Sequence, residues 1–130
     1  MNKKEHIAYW VKSSEDDEDV FELLFAIKHY VYAFFIAHLS IEKLLKALWV
    51  QHNTKDIPPK SHNLIHLLDK SGVELSKKNL NFLTQLNDFQ IQGRYPDYKF
   101  KLHKLLNEKI AHELLEEYKE VKKCLKDLII

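Results

Sequence analysis

Apolar residues recur along this chain at intervals of three and four, the period of helices that bury one face. From about Lys4 to Ile27, the residues Ile7, Trp10, Val11, Phe21, Leu24 and Phe25 gather near one side, with Ser13-Ser14 as a candidate break. From about Lys28 to His52 the apolar stripe is wider and includes Val31, Phe34, Phe35, Ala37, Ile41, Leu44, Leu45, Leu48 and Trp49. A stripe that broad belongs to a helix surrounded by others. Pro58-Pro59 forbids a helix across Asn53 to Lys60. A short helix then follows from a Ser61 cap to Ser71, resting on Leu64, Leu67 and Leu68 and ended by Gly72. Ser76 caps the next, Lys77 to about Gln90, with Leu75 and Leu80 spaced as a hydrophobic staple and Leu80, Leu83, Leu86 and Phe89 facing inward. Gly93-Arg94-Tyr95-Pro96-Asp97 reads as a loop. The last helix runs from roughly His103 to Leu128 on Leu114, Tyr118, Val121, Leu125 and Leu128. Short connections place successive helices antiparallel. The expected fold is therefore all-α: one domain over residues 1–130, an antiparallel up-and-down bundle of about five helices.

Composition supports this and excludes other classes. With 130 residues, 45% of them apolar, the chain can bury a core without metal or disulfide staples. Two glycines are too few for the turns of an all-β domain and cannot build a phosphate-binding glycine loop. The single Cys124 forms no internal disulfide and no paired-cysteine zinc site. No apolar run follows Met1 as a secretory signal would require, and His38, Glu42, Lys43 and Lys46 interrupt the most apolar stretch, so a membrane span is not expected. These features point to a cytoplasmic protein. The net charge of +1 predicts no bulk affinity for nucleic acid.

Candidate chemistry is concentrated in a few places. Glu15-Asp16-Asp17-Glu18-Asp19 reads as a solvated helix face. His62 and His66 have the i,i+4 spacing of metal ligands, but no third ligand is evident nearby, so neither a metal nor a cofactor is expected. Glu42 stands between Ile41 and Leu44 on the most apolar helix. It either pairs with Lys46 at the surface or lies at a polar cleft, where a basic group from another helix must meet it. Of 20 basic residues only Arg94 is arginine. Its planar fork suits phosphate or carboxylate, Tyr95 adds a stacking face, and Asp97 can hold the guanidinium. Downstream, Lys99, Lys101 and Lys104 interleave with Tyr98 and Phe100, a pattern suited to a nucleotide or a single strand. The alternative is an ordinary loop whose Arg–Asp pair is structural.

Three stretches carry a resemblance. The helix opened by the Trp10 segment is followed by the run Ala37 to Leu48, which contains Glu42-Lys43-Leu44-Leu45-Lys46-Ala47. Ser61-His62-Asn63-Leu64 and Gly93-Arg94-Tyr95-Pro96-Asp97 come next, in that order. Together they resemble the HEPN family, the helical domains named for higher eukaryotes and prokaryotes nucleotide binding. The resemblance implies a helical bundle with a four-helix core, often homodimeric, associated with nucleotides or RNA. It also implies a partner such as a minimal nucleotidyltransferase in a toxin–antitoxin-like system. Glu42, Lys46, Arg94, Tyr95 and Asp97 become the expected ligand-binding residues. A ribonuclease branch of the family, independent of metal, pairs Arg with a following His across a shorter spacer than the eight residues between Arg94 and His103 here. Two alternatives thus accompany a binding module. One is a ribonuclease toxin using Arg94 with His103 or His62 as acid–base; the other is a structural dimerisation domain.

Overall fold

The computed structural model describes residues 1–92, 95, 101 and 104–130. Among them five helices are built: α1 (Lys3–Ala26), α2 (Tyr30–His52), α3 (Leu64–Ser71), α4 (Lys77–Gln92) and α5 (Glu108–Leu128). Side-chain pairings give their directions. Lys3 reaches the carbonyls of Val50 and Asn53, while Phe21 packs on Phe34, so α1 and α2 are antiparallel. Phe34 meets Phe89 and His38 meets Asn87, so α4 also opposes α2. Tyr118 reaches Ser40 and Gln51 reaches the Leu128 carbonyl, so α5 runs parallel to α2. The arrangement is an up-down-up-down bundle of α1, α2, α4 and α5, with α3 inserted as a short extra turn against α2 and α4.

Helix α2 is the axis of the core. Val31, Ala33, Phe34, Ala37, Ile41, Leu44, Leu45, Ala47, Leu48 and Val50 are all buried on it. Leu64 and Leu67 from α3, Phe82, Leu83 and Leu86 from α4, and Ala111, Tyr118, Val121 and Leu125 from α5 complete the core. Burying such side chains supplies most of the drive to fold, at about 25 cal/mol per Å² of apolar surface.

The helix ends show where local chemistry decided. Asn2 caps α1 in a capping box with Glu5. The helix does not break at Ser13-Ser14: Ser14 is fully buried and donates to the Ser40 carbonyl at 2.7 Å, so a cross-helix bond absorbs its hydroxyl. The cap of α3 is Asn63 rather than Ser61. Its side chain accepts from both Ile65 and His66 amides, and Ser61 instead accepts from the Asn63 amide. Gly72 ends α3 at φ 74°, a left-handed conformation that an added Cβ would strain. Ser76 caps α4 as expected, and Leu75 and Leu80 both pack on the core. Helix α5 begins at Asn107, whose side chain caps Ile110, and not near His103, which lies outside the described residues. Leu128, expected in the core, is 45% exposed, and Ile129 beside it packs on the core instead. Asp17 and Glu18 are not part of a freely solvated face: Asp17 pairs with Lys43 of α2, and Glu18 with Lys122 and Lys126 of α5.

Candidate functional site

Positions i, i+4 and i+8 lie on one stripe of a helix. On α2 that stripe carries His38, Glu42 and Lys46, and the neighbouring elements leave it little exposed: His38 is 0%, Glu42 4% and Lys46 8% accessible. The Glu42–Lys46 pair therefore exists, at 3.0 Å, but it is buried rather than a surface pair. Burying two charges costs several kcal/mol unless their remaining valences are met. Here they are met. Glu42 Oε2 accepts from Lys46, and Glu42 Oε1 accepts from His62 Nδ1 at 2.9 Å. The Lys46 ammonium also lies 5.3 Å from the centre of the Trp10 ring, a cation–π contact that brings α1 to the cluster.

His62 arrives from the segment before α3, and that segment is tied down by α4. Asn87 Oδ1 accepts from the Leu64 amide at 3.0 Å, and Asn87 Nδ2 donates to Asn63 Oδ1 at 3.2 Å. An oxygen already accepting from an amide also accepts from the histidine ring, so His38 Nε2, at 3.3 Å, carries the hydrogen. Its other nitrogen, Nδ1, is then a buried lone pair. It has no hydrogen-bond partner and lies 3.9 Å from Glu42 Oε1. The buried carboxylate oxygens of Asp17, Glu18 and Asp56 differ, because each has a lysine within 2.7–2.8 Å. Burial pushes the His38 pKa below its ordinary 6.5, outweighing the opposite pull of Glu42 and of the bonds to Asn87 and the His62 backbone. His38 is therefore a neutral imidazole near pH 7.

The cluster opens outward at one end. The side chain of His62 is 52% exposed although the carboxylate holding it is only 6% exposed. His66, its i,i+4 neighbour, is exposed on α3, and among the described residues no group of three or more His, Cys, Asp or Glu is placed to hold a metal ion. Of the other sequence-based candidates, Tyr95 is 58% exposed, and Arg94, Asp97 and His103 lie outside the described residues. Sequence reasoning missed two members. His38 was legible in principle, since it precedes Glu42 by four positions as Lys46 follows it. Asn87 carries no sequence signal, because its role comes from the packing of α4 beside the start of α3.

An all-α bundle with a buried His-Glu-Lys stripe on its central helix defines a class of small helical domains with a polar site at the entry to α3. The family model of the HEPN domain matches residues 7–128, and the chain belongs to that family, one of nucleotide-binding and ribonuclease-type modules. No curated protein and no solved structure shows a match. Among the described residues no helix is long and apolar enough to cross a membrane.

Proposed function

We propose that this domain binds a nucleotide or RNA at the outer end of the Glu42 cluster. It would act as a homodimeric cytoplasmic module beside a partner such as a minimal nucleotidyltransferase, in a toxin–antitoxin-like system. One observation carries the reading: a buried carboxylate, held by Lys46, presents a half-exposed histidine at the surface. Replacing a buried ion pair with well-packed apolar side chains is often neutral or stabilising, so stability alone does not account for the cluster. In this reading Glu42, Lys46, Arg94, Tyr95 and Asp97 are the ligand-binding residues, and Glu42 and Lys46 form the buried floor of the site. Arg94 gives a bidentate contact to phosphate, Tyr95 a stacking face, and Asp97 an anchor for the guanidinium.

The test is a titration of nucleotides and short oligoribonucleotides against the protein and its Arg94→Ala variant. Loss of a charge-assisted bond to phosphate predicts binding weaker by about tenfold or more. Equal binding by the two proteins removes Arg94 from the site, and no binding by either removes the reading. Light scattering checks the dimer, and a monomer at working concentration contradicts that part.

A further inference from the structure

We infer that the outward face of α1 docks a basic amphipathic helix of a partner protein. None of its residues belongs to the Glu42 cluster, and the inference does not rest on nucleotide or RNA binding. Helix α1 buries Ser14 and Phe21 against α2 and α5. On its other side Val20 and Leu23, with Ile27 at the C-cap, are 44%, 70% and 62% exposed. Apolar side chains scattered singly over a surface need no explanation. These three stand at i, i+3 and i+7, the spacing with which one helix seats on another.

Beside this row runs a row of acids. Glu15, Asp19 and Glu22 are exposed at i, i+4 and i+7. Asp16 and Asp19 stand four positions before Val20 and Leu23, so the two rows adjoin along the helix. The lysines around α1 are already committed. Lys12 pairs with Asp16 at 2.9 Å, Lys43 with Asp17, Lys122 and Lys126 with Glu18, and Lys28 with Glu108. Among the described residues Glu15, Asp19 and Glu22 form no ion pair. Like charges four positions apart on a helix repel and weaken it. The chain thus neutralises the acids turned toward its other helices and leaves the outward ones unmatched.

Charge decides what fits. An apolar row edged by carboxylates repels the phosphates of nucleic acid and of anionic membranes. A second copy of the same face would set acids against acids. A helix with apolar residues at heptad spacing, and Lys or Arg beside them, meets both rows at once. Its apolar side chains cover Val20, Leu23 and Ile27, and its cations reach Asp19 and Glu22. Exposed charge pairs add little affinity, so the apolar row supplies the hold and the acids supply orientation and choice of partner.

The probe is a synthetic peptide of about five helical turns, with leucine at the heptad core positions and lysine beside them; a second peptide carries glutamate in place of the lysines. Both are titrated against the protein, its Leu23→Ser/Ile27→Ser variant and its Asp19→Lys/Glu22→Lys variant. All four side chains are exposed, so circular dichroism should show unchanged folds. The unaltered protein should bind the lysine peptide, raise its helicity and leave the glutamate peptide unbound. Loss of the two apolar side chains should weaken binding by at least about tenfold. The charge-reversed variant should exchange preference and take the glutamate peptide. No binding of the lysine peptide by the unaltered protein overturns the inference. Binding that survives Leu23→Ser/Ile27→Ser, which would be charge attraction alone, overturns it as well, and so does equal binding of the two peptides. Oligomeric state should be the same for all three proteins. A dimer lost only in Leu23→Ser/Ile27→Ser would give the face to a second copy, and sedimentation of the unaltered protein with phosphatidylserine vesicles would give it to a membrane; either result contradicts the inference.

Discussion

Two buried polar networks hang from adjacent faces of α2, and they are built differently. One joins Ser14, Ser40 and Tyr118. Ser14 donates to the Ser40 carbonyl at 2.7 Å, Ser40 donates to the Ala37 carbonyl at 2.8 Å, and Tyr118 lies 2.6 Å from the Ser40 hydroxyl. All three residues are buried to within 1%. Burial pushes the Tyr118 phenol well above its ordinary range, so it stays a neutral donor. The other network joins His38, Glu42, Lys46, His62 and Asn87. It leaves one buried lone pair unmet and reaches solvent at His62. A closed, fully satisfied network fixes the register of three helices. An open one with an unmet valence is where a protein keeps a group available for something else.

The largest effect should come from breaking the open network at its centre. Glu42→Ala strands the Lys46 ammonium beneath Trp10, and loss of one member of a buried pair costs about 3 kcal/mol. Urea unfolding should show a lower midpoint with little change in slope. A loss under about 0.5 kcal/mol, the scale of an exposed pair, would mean that water reaches the cluster freely.

Next comes the closed network. Tyr118→Phe keeps the ring contact with Phe21, whose centre is 4.7 Å away, but removes the donor to Ser40. The expected cost is about 1.5 kcal/mol, with RNA or nucleotide binding unchanged. A change in binding would blur the distinction between scaffold and site.

The smallest effect is a pH dependence. In the unfolded chain His38 takes up a proton near pH 6.5, whereas in the folded chain it does so only at lower pH. Between those points the unfolded state binds more protons, so stability is full above about pH 6.5 and falls as pH drops below it. His38→Gln should remove this component of the slope. Identical slopes for the two proteins would show that His38 does not titrate differently on folding.

Much of the fold was legible because helical periodicity and end signals act locally. The width of the α2 stripe announced its central place, Gly72 and Ser76 marked their helix ends, and Glu42 stood out as a carboxylate among apolar neighbours. Where the reading went astray, two local signals competed or a distant partner decided. Ser61 and Asn63 are both good caps, and the asparagine won by accepting from two amides. The Glu15–Asp19 run looked solvated because the lysines that meet Asp17 and Glu18 come from α2 and α5. The site was half legible for the same reason. Glu42 and Lys46 share a helix, but His62 and Asn87 reach them only through tertiary packing.

Two histidines turn opposite ring nitrogens to hydrogen-bond acceptors around one carboxylate: Nδ1 of His62 donates to Glu42, and Nε2 of His38 donates to Asn87. A two-dimensional ¹H–¹⁵N spectrum of the imidazole groups at neutral pH reads this directly. The expected result is His62 protonated at Nδ1 and His38 at Nε2, with the His62 signals moving when an oligoribonucleotide is added. A His62 Nδ1 without a hydrogen, or a His62 signal indifferent to the added strand, would contradict it.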